Sequence, residues 1–229
     1  METKKVDWQL VILVCSIIII MIMGVRQSLG LFLDPITSFM KSGKEFFSFA
    51  IGVQAIIWGL VTFFLGILID KLGPQKVLAF GIISYSSGIF LMSNPTSEFV
   101  LFSATTLMGF GLGGAGMATM VSIAGKVAPV NKRSLAMGLV AAAASFGQFA
   151  VVLPTMWMNK EFGWEVSLVV LASISISLLL LLPLLNSTNE KNSNVQDFGN
   201  SLQQTIMFSL KERNYILLIS GFFVCGFHV

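Results

Sequence analysis

Residues 10–33 read LVILVCSIIIIMIMGVRQSLGLFL, and only Arg26 within them carries a charge. A hydrocarbon core about 30 Å thick is crossed by about 20 helical residues, so this run alone is long enough to span a bilayer. Lys4 and Lys5 precede it, but no small-residue cleavage site follows and the run continues to Leu33. It therefore reads as an uncleaved span, not a signal peptide. Working outward, further complete runs lie at 46–69, 76–92, 99–122, 134–158 and 166–185. A seventh begins near Asn214, and its part here is 214–229.

Composition agrees with a bilayer as solvent. Of 229 residues, 55% are apolar and 11% charged, against roughly 25% charged in a globular domain. Ordinary soluble folds, disorder and collagen-like repeats are excluded, and so is a disulfide scaffold, because Cys15 and Cys225 both lie in apolar runs. Continuously apolar stretches such as SLLLLLPLL, residues 177–185, lack the alternation of a transmembrane barrel and read as helix. A net charge of +3 gives no case for nucleic acid as a partner. No HExxH, GxSxG or paired carboxylates occur in the spans, so neither an enzyme nor a metal site is expected, and without GxxxxGK[ST] no ATP-driven pump is encoded. No cofactor is implied.

Lysine and arginine set the orientation. With the N-terminus cytoplasmic, Lys4, Lys5, Lys71, Lys76, Lys126, Lys132, Arg133, Lys191, Lys211 and Arg213 fall inside, and Lys41, Lys44 and Lys160 fall in outside loops. Trp157 and Trp164 flank the expected outer loop between spans 5 and 6, where an aromatic belt belongs.

Of the fourteen basic residues, Arg26 is the one left within a span. A central arginine costs about 2.5–3.5 kcal/mol on insertion scales and usually faces a bundle interior or aqueous cavity. The alternative is snorkelling: Arg26 lies roughly 24 Å up from Leu10, within reach of the outer interface. Gln27 and Ser28 follow directly, a polar group that lipid would penalise, which favours a cavity. Gln54 and Gln148 share a comparable depth. A guanidinium among amides suits a small anion, since arginine's donors match a carboxylate. Each glutamine also has a plainer reading, a hydrogen bond between helices. Trp58, in mid-span, either walls a cavity or packs. No Asp or Glu lies at depth in the six spans, so a proton relay would need His228, a group beyond Val229 or the substrate itself.

Span 4 carries Gly109 and Gly113 in a GxxxG arrangement, with Gly111 and Ala115 one step round; span 5 carries Gly138, AAAAS and Gly147. Small residues let helices approach closely and are expected to serve packing, and in a transporter also sliding. Spans 2 and 3 are joined by GILIDKLGPQKVL, residues 66–78. This segment resembles the signature of the major facilitator superfamily, G-x-L-x-D-(R/K)-x-G-x-(R/K)-(R/K), with matches at Gly66, Leu68, Asp70, Lys71, Gly73 and Lys76. The resemblance implies that Gly66 permits contact with the second half and that Asp70 joins a cytoplasmic charge and helix-dipole latch. Pro74 and Gln75 replace common basic residues, which weakens the expected latch.

GVRQSLGLFLDP (24–35), FAIGVQAIIWGL (49–60), KRSLAMGLVAAAASFGQF (132–149) and GFFVCGFHV (221–229) are similar to bacterial monocarboxylate-transporter-like and oxalate/formate-antiporter-like carriers. The implied fold is an all-α membrane protein, a six-helix N-terminal bundle with a 3+3 inverted repeat plus a truncated seventh helix. An offset of 85 residues places Gly24 on Gly109 and Arg26 on Gly111. The implied function is secondary transport of a small organic anion by alternating access, coupled to a proton or a counter-anion, in a bacterial plasma (inner) membrane. Arg26, Gln27, Gln54, Trp58 and Gln148 are the expected substrate contacts. Residues 1–185 form the expected six-helix domain, 186–213 a cytoplasmic linker and 214–229 the start of helix seven. The alternatives are a truncated or non-transporting membrane protein, or a carrier of another class such as drug efflux.

Overall fold

The computed structural model describes residues 8–188 and Leu217. Most of the expected linker and seventh span, with Cys225 and His228, lies outside them. Six helices are long and apolar enough to cross a membrane: Trp8–Met40, Lys44–Ile69, Pro74–Met92, Glu98–Val127, Val130–Phe162 and Trp164–Leu185, here spans 1 to 6. No strand occurs among the described residues. The expected spans are all present, several longer than the apolar run alone. Lys160, expected in an outer loop, lies in the last turn of the span 5 helix, and the connection to span 6 is Gly163 alone.

That connection has a twin. Gly73 joins spans 2 and 3, and Gly163 joins spans 5 and 6, with φ 85° at both and ψ 154° and 163°. Only glycine adopts this region readily. Pro74 follows at the first helical position, where its missing N–H has no partner to lose.

The backbone also shows the repeat in spans 1 and 4. Span 1 passes from α-helix (Trp8–Ser28) into a 3-10 turn at Leu29–Phe32 before its last helical stretch, Leu33–Met40. The 85-residue offset carries that turn onto 114–117. There span 4 breaks at Gly116, extended at φ −83° and ψ −169°, between Glu98–Ala115 and Met117–Val127. The apolar run of span 4 therefore holds two helical stretches. Composition does not reveal the break, because Gly116 sits among other glycines and alanine.

Span 1 packs along span 5, and span 4 packs along spans 2 and 3. Glycines mark the close approaches. A Cβ on Gly24 would collide with Val151 and the Gly147 carbonyl, and one on Gly147 would collide with the Ile20 backbone. On span 4 a Cβ at Gly109 would come within 2.9 Å of the Gln54 carbonyl, and one at Gly113 within 2.8 Å of Val61. Gly24 thus meets span 5 as its repeat counterpart Gly109 meets span 2. Gly138 differs from the expectation: a Cβ there meets nothing within 4 Å, because it lies on an exposed face of span 5. The core runs through spans 1, 3 and 4, with Ile18, Ile22, Phe32, Tyr85, Ile89 and Met108 fully or almost fully buried.

Candidate functional site

Arg26 occupies the last turn of the first α-helical stretch of span 1, just before the 3-10 turn. It is half-buried, and its guanidinium carbon lies 4.9 Å from the centroid of the Trp58 ring on span 2. A cation over an indole face is stabilised by about 0.5–2 kcal/mol, more as water is removed. Among the described residues no hydrogen bond or ion pair engages the Arg26 side chain. An ion pair between Lys44 and Asp34, at 2.6 Å, lies elsewhere, exposed at the junction of spans 1 and 2. The guanidinium therefore has one face covered and its donors free.

Trp58 also borders the break in span 4: a Cβ on Gly116 would lie 3.3 Å from the indole Nε1. Interrupted helices expose backbone polar groups, which membrane proteins tolerate where the segment is enclosed by protein or lines a cavity. One carbonyl near the break is met locally, by the Thr119 hydroxyl donating to Gly113 at 3.3 Å. One turn before Trp58 on span 2, Gln54 is 2% exposed and its Nε2 has no hydrogen-bond partner. An unsatisfied buried donor is destabilising by about 1–3 kcal/mol.

Of the expected contacts, the structure brings Arg26 and Trp58 together and sets Gln54 on the helix that carries Trp58. It does not gather the polar trio. Gln27 is exposed, while buried Ser28 donates its hydroxyl to the Gly24 carbonyl at 2.9 Å and so is satisfied within its own helix. Gln148 is half-buried on span 5, and no described contact joins it to Arg26.

In the signature segment, Asp70 lies in the last turn of the span 2 helix, Lys71 and Lys76 are exposed, and a Cβ on Gly66 would meet nothing within 4 Å. Gln75 takes a part unforeseen from sequence: its Nε2 donates to the Leu182 carbonyl at 2.7 Å, tying the start of span 3 to the end of span 6.

A family model for the Major Facilitator Superfamily matches residues 10–229. The chain belongs to the Major Facilitator Superfamily. With six apolar helices it is an integral, multi-pass membrane protein, and members of its family are transporters. Among curated relatives, this major facilitator chain is 23% identical to the uncharacterized MFS-type transporter YcxA of Bacillus subtilis, over 88% of the chain and 50% of the relative. It is 26% identical to the agnestins efflux protein AgnL12 of Paecilomyces divaricatus, over 71% and 36%. It is 32% identical to the vesicular acetylcholine transporter of Drosophila melanogaster, over 63% and 26%. The chain thus spans about half, or less, of the length of these relatives.

Sequence reasoning missed Tyr85 of span 3, which is fully buried with its hydroxyl 3.1 Å from the Ile22 carbonyl of span 1. A signal was present in GIISYSSG, residues 81–88, because a phenol at mid-span needs a partner for its O–H.

Proposed function

We propose that this major facilitator chain is part of a secondary carrier of small organic anions of the monocarboxylate or dicarboxylate type. It works by alternating access in a bacterial plasma membrane with the N-terminus cytoplasmic. The observation that carries this reading is the Arg26 guanidinium, stacked on Trp58 and free of any carboxylate among the described residues. Stacking occupies a face of the guanidinium, whereas a carboxylate binds along its edge through two parallel N–H donors. Trp58 then holds the cation in place without competing for its donors. Gln54, whose buried Nε2 lacks a partner, is assigned as a second donor, and Gln27 and Gln148 as polar walls. Entry of the anion removes water from Arg26 and strengthens the pairing, which favours closure. Gly66, Asp70, Lys71, Gly73 and Lys76 form the cytoplasmic latch, and a proton or a counter-anion is the coupled species. The activity belongs to the whole carrier.

The test is uptake of radiolabelled formate, lactate and oxalate into proteoliposomes holding the full-length protein. Arg26→Gln is expected to raise KM about tenfold to a hundredfold, the loss of charge-assisted hydrogen bonds. An unchanged KM would remove Arg26 from the substrate path. The efflux relative favours a second reading, export of a larger organic molecule. Extrusion of ethidium by vesicles that leave all three carboxylates untouched would select it.

A further inference from the structure

Tyr85 lies outside the expected site, yet its polar atom reaches the turn of span 1 that carries Arg26. Its hydroxyl donates to the Ile22 carbonyl at 3.1 Å. In an α-helix the carbonyl of residue 22 is also the acceptor for the N–H of residue 26. The phenol and the Arg26 amide therefore converge on one oxygen, which has two lone pairs and can accept both.

Tyr85 is itself firmly placed. Gly111 of span 4 lies against it so closely that a Cβ there would come within 2.5 Å of the Tyr85 Cβ and 2.6 Å of its Cα and N. The adjacent Ser84 donates its hydroxyl to the Leu107 carbonyl of span 4 at 2.8 Å. Gly81 and Gly114 let the same two helices approach again one turn away, where a Cβ on Gly81 would lie 2.7 Å from the Ala115 nitrogen. Spans 3 and 4 thus form one closely packed pair, and Tyr85 extends a hydrogen bond from that pair to span 1.

On the other side of the site, Trp58 belongs to span 2, which packs on span 4 at Gly109 and Gly113. The guanidinium and the ring it stacks on are therefore both registered against span 4, Trp58 through its own helix and Arg26 through Tyr85. We propose that Tyr85 is a positioning residue for Arg26. Its hydroxyl fixes the rotation and height of the span 1 turn so that the guanidinium stays over Trp58 with its donors open to the anion. This inference rests on Arg26 as the anion contact.

The experiment uses full-length protein in which every tryptophan except Trp58, Trp8, Trp157 and Trp164 among them, is replaced by phenylalanine, so that Trp58 is the reporter. Tyr85→Phe keeps the ring and removes the donor. It is expected to shift Trp58 emission as the cation moves, and Arg26→Gln is expected to shift it too. The double variant should match Arg26→Gln alone. Ser173→Ala, which removes an intrahelical hydrogen bond to the Val169 carbonyl on an exposed face of span 6, should leave the emission unchanged.

In uptake of the best-transported of formate, lactate and oxalate, Tyr85→Phe should raise KM about threefold to tenfold, the range of one lost hydrogen bond, with kcat retained. That increase should vanish in the Arg26→Gln background. Emission and KM unchanged by Tyr85→Phe, or effects that add to those of Arg26→Gln, would overturn the positioning role. If Tyr85→Phe shifts the emission but Arg26→Gln transports with unchanged KM, the positioning role stands and the anion reading of Arg26 falls.

Discussion

Spans 2 and 4 pack against each other and both are rich in glycine, but their glycines have opposite surroundings. In span 4, Gly109, Gly111, Gly113 and Gly114 each lie against a neighbouring helix so closely that a Cβ would come within 2.9 Å of another atom. In span 2, Gly52, Gly59 and Gly66 recur at seven-residue spacing, one face of an α-helix, and a Cβ on any of them would meet nothing within 4 Å. Burial follows the same division: span 4 is mostly buried within the bundle, and span 2 mostly exposed. Glycine in span 4 is required by contacts within this bundle. Glycine in span 2 is required by none of the contacts described, and as a poor helix former it weakens the span by up to about 1 kcal/mol per residue.

The contrast can be broken most directly at Gly111. Gly111→Leu should destabilise the bundle by about 3 kcal/mol, because the obstacle is the Tyr85 backbone, which cannot rotate away as a side chain can. Thermal unfolding in detergent measures it, and a wild-type melting temperature would erase the distinction between the two spans. Trp58→Ala comes next, at about 2 kcal/mol, since it removes the stacking under Arg26 and the packing beside Gly116. A smaller loss would mean that Trp58 stands free of span 4. Lys44→Ala removes an exposed ion pair and should change stability by less than about 1 kcal/mol, an effect that salt abolishes. Gly59→Ala should not destabilise at all, because the added methyl meets open space and alanine is the better helix former by up to about 1 kcal/mol. A destabilisation as large as that of Gly111→Leu would show that the open face of span 2 is packed after all.

The spans were legible because crossing a bilayer demands a length and a composition, and both can be counted along a chain. The glycine faces were partly legible. Spacing separates Gly109 and Gly113 from Gly111, and the structure sends them to different neighbours, span 2 and span 3. Spacing does not say whether a neighbour is there, and so Gly138 was grouped with Gly147 although its surroundings are open. The site was legible in its one costly residue. Arg26 stands out because charge at depth needs a reason, but the rotation of its helix, which buries Ser28 and exposes Gln27, is decided by packing against span 5. The break at Gly116 leaves no compositional trace, because membrane helices are glycine-rich where they are continuous as well.

Gly73 and Gly163 have a mechanical consequence. Successive Cα atoms are 3.8 Å apart, so a joint of one residue has almost no slack, and a helix on one side cannot slide along its axis without dragging the helix on the other. The connection between spans 1 and 2 runs through 41–43, and that between spans 3 and 4 through 93–97; both have more chain to absorb displacement. Force applied to span 2 therefore reaches span 3 directly, as force on span 5 reaches span 6. Spans 2 and 3 are thus coupled at their joined ends, as are spans 5 and 6, while Arg26 lies on span 1, which is joined to span 2 by the longer connection.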